Sequence, residues 1–174
     1  MHMPKPIEGN FSPNWSNYID AVQEGDLAQL LKDQEQDLLS LYSSIREEQS
    51  LYRYDEGKWS LKEVLGHIND TERIMSYRLL CVSRGDKTPL PRHQDIYVNG
   101  TNFDRRPLAE LIADFRAVRA ATLSLIQGLN EDELRRAGVV NNALTTAVAI
   151  AYFIIGHTHY HLNVVREKYI PYLQ

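Results

Sequence analysis

The sequence predicts an all-α protein, a four-helix bundle with a long crossover loop between its second and third helices. Three observations carry that reading. Four long segments place apolar residues at alternating spacings of three and four, which puts them on one face of a helix. Capping and stop residues bracket those segments. No stretch shows a convincing two-residue alternation of a strand. At 174 residues the chain has the length of one domain, so residues 1–174 are expected to form a single unit, with residues 1–25 an irregular arm.

That arm carries Pro4, Pro6, Gly9, Pro13 and Gly25, which break helices and leave room for one helical turn, and Trp15 and Tyr18, which dock it. From Leu27 to about Gln49, Leu27, Leu30, Leu31, Leu38, Leu41, Tyr42 and Ile45 recur at helical spacing and predict the first long helix. Asp55, Glu56 and Gly57 then form a turn. Ser60 with Glu63 three residues later is a capping box and starts the second helix, expected over 60–84. Its seam is Leu61, Leu65, Ile68, Glu72, Met75, Leu79 and Val82, in which only Glu72 is polar.

Gly85 ends that helix, and the stretch to Arg106, with Pro89, Pro91, Asn99 and Gly100, reads as a long loop. Pro107 suits a first helical position, and Leu108, Leu111, Ile112, Phe115, Val118, Leu123 and Ile126 predict a third helix over 107–128. Asn130 to Leu134 reads as a short capped turn. The fourth helix is expected over 143–169, with a seam of Leu144, Val148, Ala151, Ile155, Thr158, Leu162, Val165 and Tyr169 and a stop at Pro171.

Composition removes several classes of function. Apolar residues make up 43% and charged residues 24%, so the chain has enough apolar surface to fold without a disulfide or a structural metal. A net charge of −4 offers no broad positive field, and sequence-independent nucleic-acid binding is not expected. The single cysteine, Cys81, allows no internal disulfide and no thiolate metal site. The longest apolar stretch, Ala143 to Ile155, is too short to span a membrane, and the first residues lack the apolar core of a signal peptide. A cytoplasmic protein is expected.

Three of the six histidines lie in Gly156-His157-Thr158-His159-Tyr160-His161. At about 100° per residue, His157 and His161 share a helix face, about 40° apart, while His159 points about 160° to 200° away. An i, i+4 pair supplies two nitrogen ligands, and a transition metal then needs at least one more from elsewhere. His67, between Leu65 and Ile68 at the edge of the second helix's apolar face, is the natural third. Three neutral imidazoles would leave a coordination position for water or substrate. The bland alternative is that each histidine is partly buried and bonded to a backbone carbonyl. His159 is expected at the surface or an interface, His93 in the long loop in solvent, and His2 in a disordered start.

Trp59-Ser60-Leu61-Lys62-Glu63-Val64-Leu65-Gly66-His67-Ile68, followed far along the chain by Gly156-His157 and His161, resembles the DinB-like superfamily of metal-binding four-helix bundles, including proteins of the YfiT and BstA type. The likeness runs from about Leu27 to Tyr169. It implies His67, His157 and His161 as ligands of a divalent transition metal, zinc or nickel foremost and iron or manganese as alternatives. It also implies a small-molecule substrate. Some relatives use a low-molecular-weight thiol such as bacillithiol or mycothiol in transferase or isomerase reactions, others are described as hydrolases, and many have no assigned activity.

Two kinds of chemistry fit such a site. A bound cation lowers the pKa of a thiol and presents a thiolate to an electrophile, without any cysteine from the protein. Alternatively it activates water for hydrolysis, which wants a general base nearby. Glu63 could lean toward the site, although its cap explains it without chemistry, and Asp70 and Thr71 could orient an imidazole from one turn beyond His67. The non-enzymatic alternative is a metal-binding or stress-related interaction protein. A homodimer is expected, since the two-fold dimer is the commonest soluble oligomer.

Overall fold

The computed structural model describes residues 1–89 and 95–174, so His93 lies outside the described residues. The four long helices of the predicted bundle are α2 (Leu27–Ser43), α3 (Leu61–Ser83), α5 (Leu108–Gln127) and α7 (Ala147–Val164). Each of α2 and α3 packs against both α5 and α7, so α2 and α3 stand at opposite corners of the bundle. Side-chain bonds fix the directions. Lys62 and Asp104 meet at the start of α3, beside the start of α5, and Arg119 reaches Glu72 further down both helices. Hence α3 and α5 run parallel, and the connection between them traverses the length of the bundle rather than turning a corner at one end. It contains α4 (Asp95–Asn99) and a 3₁₀ turn at Phe103–Arg105.

The termini of the helices follow local chemistry. Asp26 caps α2, its carboxylate accepting from the Gln29 N–H at 3.0 Å. The helix stops at Ser43, short of the expected Gln49, where Ser44 Oγ donates to the Leu41 carbonyl at 2.6 Å. Serine hydroxyls offer backbone groups an alternative to the helical ladder. The capping box at α3 forms as its sequence indicates: Ser60 Oγ accepts from the Glu63 N–H at 3.0 Å and Glu63 Oε2 accepts from the Ser60 N–H at 2.8 Å. Gly85, at φ +82, closes the other end, with the Asp86 N–H reaching back to the Cys81 carbonyl at 3.0 Å.

The expected fourth helix starts late. Residues Ala137–Val140 (β3) and Ala143–Thr146 (β4) form an antiparallel hairpin after the short α6 (Glu131–Arg135). Asn141 and Asn142 take φ of 52° and 62°, the two successive left-handed residues of a tight hairpin turn. Leu144, placed in the helical seam by its spacing, is exposed on this hairpin. Thr146 ends the strand and caps α7 by accepting from the Ala149 N–H at 3.3 Å. Val165–Tyr169 continue α7 as one wider π turn, and a 3₁₀ turn over Ile170–Tyr172 follows.

From Ala147 to Thr158 every residue of α7 is buried. A helix that is apolar all round needs cover on every side. The N-terminal arm supplies part of it, and the arm is more regular than its sequence indicates. His2–Met3 (β1) pairs with Gly25–Asp26 (β2), and Pro13–Trp15 turns into α1 (Ser16–Asp20). His2, expected in a disordered start, sits in that strand with Nε2 3.3 Å from the Glu24 carboxylate. Trp15 stacks on Phe153 at 4.3 Å, and Tyr152 donates to the Met3 carbonyl at 2.7 Å.

The buried apolar residues fall into two clusters, one around Leu31, Met75, Leu79 and Ile150, the other around Leu38, Leu65, Leu111, Phe115 and Leu162. Between them lies a polar layer: Gln34 on α2, Glu72 on α3 and Arg119 on α5 are all buried, and the layer reaches α7 at the Ile155 carbonyl. Arg119 Nε and Nη2 donate to the two carboxylate oxygens of Glu72 at 2.8 and 2.9 Å, Nη1 to the Leu31 carbonyl at 2.8 Å and Nη2 to Gln34 Oε1 at 3.1 Å. Gln34 Nε2 in turn donates to the Ile155 carbonyl at 2.8 Å. Arg119 and Gln34 thereby tie the four helices together. Leu65 and Ile155 flank the layer in the two clusters, and truncating either to alanine should cost about 2 to 5 kcal/mol. Chemical denaturation checks this, and values near zero would mean that these positions are not packed.

Candidate metal centre

His67 is on α3 and His157 and His161 are on α7, next to the polar layer and where the two helices pack antiparallel. Glycine precedes two of the three histidines for a steric reason. A Cβ on Gly66 would stand 2.5 Å from the Phe103 ring, and one on Gly156 would run into the Tyr18 carbonyl of α1. The small residue lets each neighbouring segment close over the helix that presents a histidine.

The structure brings the three histidines together. Nε2 of His67 lies 3.0 Å from Nε2 of His157, which lies 3.2 Å from Nε2 of His161, and the three ligand atoms all fall within 4.8 Å of one another. His67 and His157 are buried and His161 is partly exposed. Two nitrogens that share a cation at about 2.0 to 2.1 Å stand about 2.8 to 3.4 Å apart for coordination angles from octahedral to tetrahedral. The two short separations match that span. With protons on Nδ1, the three Nε2 lone pairs point into one volume, an arrangement that a divalent cation relieves. The residues present therefore fit a divalent transition metal, and nitrogen-only ligands suit zinc, nickel, copper or iron better than magnesium or calcium.

Burial, with a further contribution from His67, lowers the His161 pKa from 6.5 to about 3. The sign of the consequence is definite. In the unfolded chain this imidazole takes up a proton near pH 6.5, whereas in the metal-free fold it stays neutral until about pH 3, so its contribution to stability is present above pH 6.5 and is lost as pH falls through that window. Urea denaturation of metal-free protein between pH 7 and pH 4 should show stability falling by up to about 1.4 kcal/mol per pH unit from this group. A profile that stays flat would mean that His161 accepts its proton within the fold.

The other singled-out residues lie apart from the cluster. His159 faces away from it, with Nε2 3.1 Å from Asn163 Nδ2, on the rim of a cleft shared with Asp33, Gln34 and Asp37. Glu63 is held by the cap and by an ion pair with Arg53. The Asp70 carboxylate meets Arg73 at 3.5 Å and lines a surface cleft with Tyr97, Phe103 and Arg106. Thr71, one turn beyond His67, is buried, and its hydroxyl bonds to no protein group among the described residues. Neither Asp70 nor Thr71 orients an imidazole by a hydrogen bond here. Cys81 is a free, half-buried thiol.

Sequence reasoning passed over the rings around the imidazoles. Trp59, just ahead of the α3 cap, lies 4.7 Å from His67 and 6.4 Å from His161, ring centre to ring centre. Tyr18 of α1 lies 5.7 Å from His157, Phe153 5.5 Å from His157, and Tyr160 5.1 Å from His161. Tyr160, adjacent to a histidine on the less buried side of α7, was the signal available.

The sequence model of the DinB superfamily matches residues 30–165, a span that contains all three histidines. This chain belongs to the DinB superfamily. Its fold is also that of a solved relative in architecture: YfiT from Bacillus subtilis, "a probable metal-dependent hydrolase with an unusual four-helix bundle topology", superimposes with a TM-score of 0.72 at 16% identity, over 94% of this chain and 90% of that one. At that identity the likeness speaks to the fold. No curated protein matches the chain. Among the described residues, no helix of this DinB-superfamily protein is long and apolar enough to cross a membrane.

Proposed function

We propose that this protein is a metal-dependent enzyme of the thiol S-transferase type, in which His67, His157 and His161 hold one divalent cation, zinc or nickel, with iron or manganese as alternatives. The observation that carries the metal is the convergence of three imidazole nitrogens from two helices at 3.0 and 3.2 Å. When bound, the cation supplies Lewis acidity, which lowers the pKa of a thiol or a water that it holds. The protein's own residues then set the outcome. His161 stays neutral and available as a ligand across the physiological range. Trp59 and Tyr160 flank His161.

The donor set favours a thiol over water. A bound cation would ionise a thiol or a water alike, but cleavage of an ester or amide also wants a positioned group to move protons to the leaving group. Glu63 is committed to its cap and to Arg53, and Asp70 turns to Arg73. The cosubstrate in this reading is a low-molecular-weight thiol of the bacillithiol or mycothiol kind, the second substrate is a small electrophile, and the working unit is a homodimer. A second reading, hydrolysis, has the description of YfiT in its favour. Metal-loaded protein incubated with a thiol and an electrophile panel, then with esters and amides, separates them. Thiol-dependent product supports the transferase, thiol-independent cleavage the hydrolase, and neither leaves a non-catalytic metal-binding protein. Metal analysis of protein purified without a histidine tag or nickel resin identifies the native ion.

A further inference from the structure

We propose that the accessible side of the histidine cluster is a vestibule for a planar, aromatic-bearing ligand, held between Trp59 on one wall and Tyr18 and Tyr160 on the other. This rests on the metal-dependent reading above and names the class of the second substrate, the small electrophile, that the site takes.

The three imidazoles are not equally reachable. His67 and His157 are buried, so an incoming molecule approaches past His161. The rings that flank that approach come from separate parts of the chain. Trp59 precedes α3 and leans over His67 and His161 with its plane tilted by 43° and 31° to theirs. Tyr160 stands edge-on to His161, and Tyr18 stands edge-on to Tyr160 at 5.4 Å. Tyr160 is half exposed, and Trp59 and Tyr18 are partly so.

A core aromatic is buried on all sides, whereas these three keep accessible surface beside a group of metal-ligating atoms. Among the described residues the ligand set contains no carboxylate. A flat ring gains offset or edge-to-face contacts with both walls while its donor atom points at the cluster. Two such contacts favour an aromatic ligand over a saturated one of equal size by about tenfold.

The probes are phenylmethanethiol and cyclohexylmethanethiol, which offer the same donor on a flat and on a puckered ring. Calorimetric titration into zinc-loaded protein of measured metal content should show the aromatic thiol binding about tenfold more tightly. Trp59→Leu should cut that ratio to about threefold or less with metal content unchanged. Tyr160→Leu, at a half-exposed ring, should do the same and serves if the tryptophan variant fails to fold. Equal affinity for the two thiols, or a ratio untouched by either variant, overturns the proposal. If zinc is not taken up, the metal reading fails, and the same pair titrated into metal-free protein decides the vestibule alone: aromatic preference upholds it and its absence overturns it.

Discussion

Glu72→Ala should cost about 3 to 5 kcal/mol of folding stability, a large share of what a domain of this size has in total. The carboxylate is buried and takes two hydrogen bonds from Arg119, itself fully buried. Deleting it leaves a guanidinium without its counter-charge in a medium that solvates it poorly, and that desolvation dominates the loss. The same reasoning gives a second expectation of opposite sense. Changing both partners to apolar residues of similar size, Glu72→Met with Arg119→Leu, should cost far less than either single truncation, because no charge is stranded. Urea denaturation of Glu72→Met, Arg119→Leu and their double variant forms a cycle whose coupling measures the pair. Single variants each costing under about 1 kcal/mol would show that water reaches the layer and that the bonds to Leu31 and Gln34 do not depend on the pair.

That layer shows where the sequence was legible and where it was not. The apolar seams of α3 and α5, the capping box at Ser60 and the stop at Gly85 are local signals, and the helices begin and end within a residue or so of where they indicate. The α2 end and the α7 start depend on competition between local alternatives. Ser43 and Ser44 divert backbone bonds, and Asn141-Asn142 allows a hairpin, so a seam extended through Leu144 counts a strand residue as helical. The polar layer left a trace that went unread. In the first helix the apolar positions jump from Leu31 to Leu38 around Gln34, and in the third from Val118 to Leu123 around Arg119. Those gaps fall level with Glu72, the one polar residue in its own seam. Which residues pair across three helices is a tertiary fact, invisible to periodicity within each.

The histidine cluster was the more legible part, because helix geometry leaves few choices. A pair one turn apart on α7 needs a partner from a neighbouring helix, and α3 presents His67 at the matching height. What spacing did not convey is how the height is fixed. The Arg119 and Gln34 bonds reach both Glu72 on α3 and the Ile155 carbonyl on α7, five and two residues from the nearest histidines, so the layer that opposes sliding of these helices adjoins the site. The glycines at 66 and 156 then let the connection at Phe103 and helix α1 close over it.

Replacing any one of His67, His157 and His161 with alanine should weaken divalent-metal binding by more than about 100-fold, beyond what loss of a group that merely orients a ligand costs. Two remaining imidazoles give a cation only two protein donors, too few for the closed tetrahedral or open three-ligand sites that hold zinc tightly. His159→Ala should leave affinity within a few-fold of the parent, since that imidazole faces Asn163 on the other side of α7. The experiment is a competition titration with zinc and then nickel against a chromophoric chelator, on protein whose helical content has been checked by circular dichroism. The three variants should retain the fold, because each change leaves the buried Glu72–Arg119 pair and its bonds intact. Loss from His159→Ala equal to loss from His157→Ala would overturn the assignment of faces, and tight stoichiometric binding that survives all three changes would place the metal elsewhere on the protein.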